Sequence, residues 1–356
     1  MISQKNIEDI VSDAVWAPSG ENAQPWRFII EDNLLHIMNI PEADNSIYNF
    51  KQRGSYIAHG ALLENIVIAA QEQGYKTNIE IFPNTHNPEC TAIVTFTQNS
   101  MSESSPLYQF IRKRVTNRKE YTGAPLTNNE KKILWDSLGD TLNTLHFVDD
   151  KLSLCELGSA AALNEKIIFE NKELHDFFYE HILWNKDEDK KKGFYIKSLE
   201  FKLEQLPLVK IFSHWKTLKL VNKIFHISKL IASDNAAKYA DSGTFFALTI
   251  PDERNISFIT LGRTLQRFWL TATKLNLAVQ PCTGVLFFMQ RIRSGHNETF
   301  DIKHISEIEN AYTKIKKVFD ITEKNVVIMG RIGYASTPSG RASRLPPIIQ
   351  YEKNNL

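Results

Sequence analysis

Two apolar helical segments, far apart in the chain, carry the same residues in the same places. In GALLENIVIAAQEQGY and GRTLQRFWLTATKLNL, Gly60 matches Gly262, Leu63 matches Leu265 and Ala70 matches Ala272, all at one constant offset. Each segment also holds a polar pair in its apolar run, Glu64-Asn65 in the first and Gln266-Arg267 in the second. Two apolar helices can agree by chance. The alternative is a tandem duplication of one α+β unit, and it constrains the whole chain: the halves then pack on each other as the subunits of a symmetric dimer do, through helices 60–74 and 262–277. A chain of 356 residues, 42% hydrophobic and with 21 Phe, has ample material for such a core.

The surrounding order recurs as well. Ile7, Ile10, Val11, Ala14 and Val15 have helical spacing, with Asn6 placed to cap that helix and Pro18 to stop it. Residues 27–40 read as two strands around the turn EDN, and TAIVTFT as a core strand. After the Ser-rich QNSMSESSPL, TNNEKKILWDSL reads as a helix opened by a capping box of Thr127 and Glu130. TLHFVD, GTFFALTI and NVVIMGRIGYA follow as strands. The expected halves are therefore 1–105 and 106–356. The second carries a helical insertion at about 173–233, with 11 Lys against 5 Asp and Glu from Lys186 to Lys229. A lid over a site, a membrane-surface helix and a solvated hairpin with its lysines outward all fit that composition.

A formal net charge of +1 argues against an overall commitment to nucleic acid. Cys90, Cys155 and Cys282 are scattered and lack CxxC spacing, which fits a reducing cytoplasm and gives neither a disulfide framework nor a zinc site. MISQKNIEDI has no basic region followed by an apolar core, so no signal peptide is expected. No apolar run approaches the roughly 18 residues of a membrane span. A soluble cytoplasmic protein is the expectation.

Two stretches point to chemistry. WAPSGENAQPWRF is too long and too polar for an ordinary turn, and its Ser19, Asn22 and Gln24 offer donors and acceptors on backbone stiffened by Pro18 and Pro25. Pro25 biases Gln24 towards extended backbone. In IRKRVTNRKEY, an extended chain would point Arg114, Thr116 and Arg118 to one side, two guanidinium forks flanking a hydroxyl. Such forks suit a phosphate, although a basic surface run is the plainer reading. Arg341 and Arg344, in the proline-bounded SGRASRLPP, are placed to complete an anion site. His36, His59, His146 and His214 form no triad or metal pattern and read as packed or surface residues. Cys282 reads as a small buried residue, and Trp26 and Trp269 as core.

These motifs together resemble the nitroreductase-type FMN flavoproteins. APSGENAQPWRF is similar to their signature turn, RVTNR to their R-x-[ST]-x-R phosphate segment, NLAVQPCTGV to the loop beside flavin N5, and SRLP to a C-terminal phosphate contact. Length and duplication point to the single-chain, two-half branch resembling the mycobacterial Acg proteins. The resemblance implies an α+β, tandem-duplicated nitroreductase-like fold, each half a mixed sheet flanked by helices, closed as an intramolecular pseudo-dimer with a helical lid insert. It implies FMN lined by Pro18, Ser19, Gly20, Asn22 and Gln24 from the first half. Arg114, Thr116, Arg118, Arg341 and Arg344 would bind its phosphate from the second, with the backbone of Thr283 and Gly284 near N5. The first half has no R-x-[ST]-x-R segment, and SLGDTLNTLHF keeps almost none of the turn. One FMN per chain and a monomer are thus expected. Ala342 stands where the family has a lysine. The implied activity passes electrons from NAD(P)H to a nitro, quinone or similar small acceptor. A catalytically weak flavin-sequestering protein and a partner-dependent dehydrogenase are the alternatives.

Overall fold

The computed structural model describes residues 2–84, 86–99, 103–185 and 192–352. The first unit runs α1 (Gln4–Ala14), β1 (Trp26–Glu31), β2 (Leu34–Asn39), α2 (Arg53–Glu72), β3 (Tyr75–Ile81) and β4 (Cys90–Gln98). The second opens with α3 (Asn128–Asp136) and β5 (Thr144–Val148). An excursion follows, made of α4 (Lys151–Ile168), α5 (Lys172–Glu180), the two-residue strands β6 (Ile182–Leu183) and β7 (Phe194–Tyr195), α6 (Leu206–Phe212), α7 (Trp215–Phe225) and α8 (Ile227–Ala240). The acidic and basic run 186–191, part of the predicted insertion, lies outside the described residues. The unit then closes with β8 (Thr244–Ile250), α9 (Asn255–Lys274), β9 (Ala278–Pro281), α10 (Gly284–Arg293), α11 (Ile302–Val318) and β10 (Asn325–Gly333).

The strand order is β1-β2-β4-β3 in one sheet and β5-β8-β10-β9 in the other. Every neighbouring pair within these two runs is antiparallel. If β1 is set against β5 and β2 against β8, the helix that follows is α2 in one unit and α9 in the other. The two units therefore share one strand order, the excursion standing in place of the β1–β2 turn and α10–α11 in place of the β3–β4 connection. A last strand, β11 (Ile349–Glu352), returns to the first sheet and pairs in parallel with β1, Phe28 opposite Ile349. Nothing in the sequence signals that return.

Helices α2 and α9 run between the sheets, buried on nearly every face. One apolar core includes Phe28, Leu35 and Ile37 from the first sheet, Phe246 and Leu248 from the second, and Leu62 and Phe268 from the two helices. The expected helix starts at Gly60 and Gly262 are corrected: both glycines sit mid-helix, where the backbones touch. A Cβ on Gly60 would lie 1.9 Å from Ile259 O, and one on Gly262 would lie 2.0 Å from Ile57 O. Only glycine permits so close an approach. The polar pairs cross in the same manner. Gln266 Nε2 donates to Asn65 Oδ1 at 2.7 Å, while Arg267 and Arg263 reach the buried Glu64 carboxylate, Arg263 Nε at 3.1 Å. Within the two pairs each residue meets the counterpart of its own neighbour, as across a twofold interface, while Arg263 adds a further contact to Glu64.

Local caps follow the chemistry. Thr127 and Glu130 form the capping box as the sequence predicts. Helix α1 is capped by Ser3, whose hydroxyl accepts from Asn6 N–H, so Asn6 is the third helical residue and not the cap. The helix stops at Ala14, well before Pro18, because residues 15–17 turn away to present their carbonyls elsewhere. His59 is fully buried, with its ring within hydrogen-bond distance of Thr91, Pro25 and Asn39, and burial holds its imidazole down at about 4. It is a packed residue, as the sequence suggests.

Candidate functional site

The turn after α1 is held by its own polar groups. Ser19 Oγ accepts from Gln24 N–H at 3.0 Å, and Ala23 N–H donates to Gly20 O at 2.7 Å. Glu21, Asn22 and Gln24 all adopt positive φ, at 44°, 58° and 51°. Left-handed backbone at three non-glycine residues is costly, and such strain concentrates at sites that use it. The expected extended Gln24 is therefore corrected. Its side chain explains the difference: Nε2 donates to Asn22 O at 3.2 Å and Oε1 accepts from Leu345 N–H at 3.0 Å, which overrides the proline bias. Asn22 Nδ2 donates to Ser343 O at 3.1 Å, latching the turn to the C-terminal loop, while its Oδ1 is buried with no partner.

Arginines converge on this turn. Arg344 donates from Nε to Val15 O and from a terminal nitrogen to Ala17 O, both at 3.1 Å. Arg114 donates to Trp16 O at 3.0 Å and lays its guanidinium 4.6 Å from the centre of the Trp269 ring. The carbonyls at the end of α1 carry partial negative charge and offset part of this concentration of cations. Arg341 stands 4.4 Å over the Trp16 ring and also donates to Arg112 O. Arg114 Nε and a terminal nitrogen of Arg341 are buried without partners. Burial, then Arg344 and Arg341, hold Arg114 well below the ordinary arginine range. Burial and Arg341 bring Arg344 down to about 10, and burial and Arg112 do the same to Arg341.

These groups line one cleft of about 580 Å³, mouth included. Pro18, Ser19 and Asn22 come from the turn, Arg114, Thr116 and Arg118 from the extended segment, and Arg341 and Arg344 from the C-terminal loop. Thr116 bridges to Val279 in parallel, which keeps that segment extended, and Asn117 turns away to Ser336 O. Gly20 and Gln24 fall outside the lining and shape the turn from behind. Thr283 and Gly284, at the start of α10, also lie outside it. Asn164 of α4 stands against Gly284, where a Cβ would come within 2.0 Å of its Oδ1, and that oxygen accepts from Tyr48 O–H at 3.0 Å. Cys282 is half-buried rather than fully buried, and burial pushes its thiol up to about 12, which disfavours the reactive thiolate.

Sequence reasoning missed Glu21, Val115 and the wall from the excursion: Gly193, Phe194 and Ser198. Arg118 donates to Ser198 O at 3.1 Å and stacks 5.7 Å from the Phe194 ring centre. No local signal links residue 118 to residue 198. Glu21 hides for a similar reason, because its environment depends on Asp44. Burial and Asp44 push its carboxyl up to about 8, against the pull of Arg118. The folded chain thus holds a proton that an unfolded glutamate releases near pH 4.3. That stabilisation is complete below the unfolded value and is lost as pH rises through about 8. The melting temperature of the flavin-free protein is expected to fall between pH 5 and 8.5 more steeply than that of Glu21→Gln. Parallel pH profiles would show that Glu21 is ionised in the fold.

No protein-family model matches the chain. An uncharacterized protein of Mycobacterium tuberculosis is 22% identical over 290 residues, covering 80% of this chain and 40% of that protein. The Mycobacterium tuberculosis protein named "Putative NAD(P)H nitroreductase acg" is 32% identical over 98 residues, 27% of this chain and 29% of its own length. The chain thus spans well under half of these curated relatives. Among solved structures, one named a putative nitroreductase from Anabaena variabilis is similar over 94% of this chain and 74% of its own, at 11% identity and a TM-score of 0.42. Of the two curated relatives, the one matched over 98 residues bears a nitroreductase name, the family that the motifs resemble.

Proposed function

We propose that this chain binds one FMN in the cleft and works as an oxidoreductase of the nitroreductase type. The observation that carries the reading is a group of arginines, the buried Arg114 with the partly buried Arg341 and Arg344, in which Arg341 and Arg344 repel Arg114 and unpartnered donors remain on Arg114 and Arg341. No carboxylate is among the groups shifting their charge. A partly desolvated cluster of this kind is costly until an anion neutralises it, and a phosphate monoester supplies both the charge and several acceptors. Thr116 adds a hydroxyl, the unpartnered Asn22 Oδ1 offers an acceptor to a donor on the ligand, and Pro18, Val115 and Phe194 supply apolar walls for a ring. The residues present fit FMN.

Bound there, FMN would carry hydride chemistry between NAD(P)H and a small nitro, quinone or similar acceptor. The protein's share is binding and orientation. Arg114, Arg341 and Arg344 hold the phosphate, Asn22 and Ser19 face the ligand from the turn, and Phe194 with Ser198 limits water and acceptor access. Because the cleft draws on 1–105 and 106–356, which we take as the two halves of a duplicated unit, one chain completes it and a monomer suffices. The unpaired cysteines fit a reducing, cytoplasmic setting. Among the described residues no helix is long and apolar enough to cross a membrane.

A second reading has its own observation. Asn164 covers the start of α10 and the excursion walls the cleft, which favours a protein that holds flavin and exchanges electrons slowly. Anaerobic addition of NADPH separates the two. Bleaching of the visible flavin absorbance within the mixing time, at one FMN per chain, is the expected result. A flavin reduced by dithionite alone would move the assignment to sequestration, and a colourless protein indifferent to added FMN would end both.

A further inference from the structure

Helices α6 to α8 carry a surface that flavin binding does not use. The seven residues of α6, LPLVKIF, include none that is buried. Leu208 and Ile211 of α6, Leu220, Ile224 and Phe225 of α7, and Leu230 of α8 are exposed, from 49% for Ile211 to 62% for Leu220 and Phe225. Scattered exposed apolar residues need no explanation, but so many on three consecutive, mutually packed elements do. The same stretch is cationic. From 205 to 233 the chain has five lysines, Lys210, Lys216, Lys219, Lys223 and Lys229, and neither Asp nor Glu.

The two properties are interleaved. On α7, Leu218 is fully buried and fixes the inward face, which turns Lys216, Leu220, Lys223 and Ile224 outward, with Lys219 beside them. Such a face fits one partner chemistry well. At an anionic bilayer, Leu, Ile and Phe enter the boundary between headgroups and acyl chains, while lysine stems lie along the apolar surface and their ammonium groups reach phosphates. A second copy of this chain is a poor partner, because a symmetric contact would set these lysines against their own counterparts. We propose that α6–α8 dock the protein onto anionic lipid surfaces, lying on the membrane without entering it as a span. The inference stands independently of the flavin assignment.

Co-sedimentation of the full chain with vesicles tests it, using phosphatidylcholine alone and phosphatidylcholine mixed equally with phosphatidylglycerol. At about 0.1 M salt, partitioning is expected to be at least about tenfold stronger onto the anionic vesicles. It should weaken at about 1 M salt, where the screening length shrinks from about 10 Å to about 3 Å. Leu220→Ser/Ile224→Ser and Lys219→Glu/Lys223→Glu, all at exposed positions, should each lose at least about tenfold while keeping the parent's melting temperature. Equal or no partitioning onto the two vesicle types, or variants that bind like the parent, would overturn the proposal. So would a dimer in light scattering that Leu220→Ser/Ile224→Ser splits while vesicles remain bare, since that assigns the face to a second copy.

Discussion

Replacing Arg114 by methionine is expected to weaken FMN binding and, in the same protein, to stabilise the flavin-free fold. Arg114 is 3% exposed, yet it has one carbonyl partner, an aromatic face and an unpartnered Nε, with Arg344 and Arg341 as its charged neighbours. Without an anion, that charge is desolvated and repelled, which costs the fold. Methionine keeps the unbranched stem against Trp269 and removes the charge. Loss of a charge-assisted contact to phosphate is worth about 1.5–3 kcal/mol, or roughly ten- to 150-fold in Kd. Relief of the buried charge should raise the flavin-free stability by about 1 kcal/mol or more. Fluorescence titration of FMN and thermal unfolding of the stripped protein read the two effects separately. A variant that binds FMN like the parent would remove Arg114 from the site. One that is less stable without flavin would show that its contacts to Trp16 and Trp269 outweigh the repulsion.

The parts of the fold that read clearly from sequence are those decided within a few residues. The Thr127–Glu130 box, the hairpin around EDN and the apolar strand TFFALTI each state their structure locally. The glycine match between the central helices was visible too, but its meaning was not. Gly60 and Gly262 look like helix starts in a linear reading, whereas they mark the point where two backbones cross. Strand β11 and the pairing of Ser198 with Arg118 join residues hundreds or scores of positions apart, so no local pattern encodes them. The site divides along the same line. Arg114, Thr116 and Arg118 follow from the period of an extended chain. The left-handed Gln24 follows from Leu345, and the raised Glu21 carboxyl from burial and Asp44, surroundings that only the folded chain assembles.

Gly60→Ala tests the crossing on which both halves depend. The added methyl would sit 1.9 Å from Ile259 O, 2.8 Å from Gly262 Cα and 2.9 Å from Arg263 N, all backbone atoms that cannot swing aside. Alanine's better helix propensity returns about 1 kcal/mol, but separating α2 from α9 disturbs the core they share. Overpacking of this kind costs about 1–3 kcal/mol and more where backbone must move, so a net loss of at least about 2 kcal/mol is expected. Gly54→Ala lies near the start of the same helix, where the nearest atom is the Asn49 side-chain oxygen at 3.1 Å, and it should cost less than about 1 kcal/mol. Denaturant midpoints of the two variants decide the matter, and similar losses would show that the helices relax apart freely. Flavin retention adds a second readout. On the proposed reading the crossing sets the turn against the arginines, so Gly60→Ala should release FMN at denaturant concentrations where the parent still holds it. If the variant unfolds early yet keeps its flavin until it does so, with Kd unchanged, the cleft does not depend on how the two halves are docked.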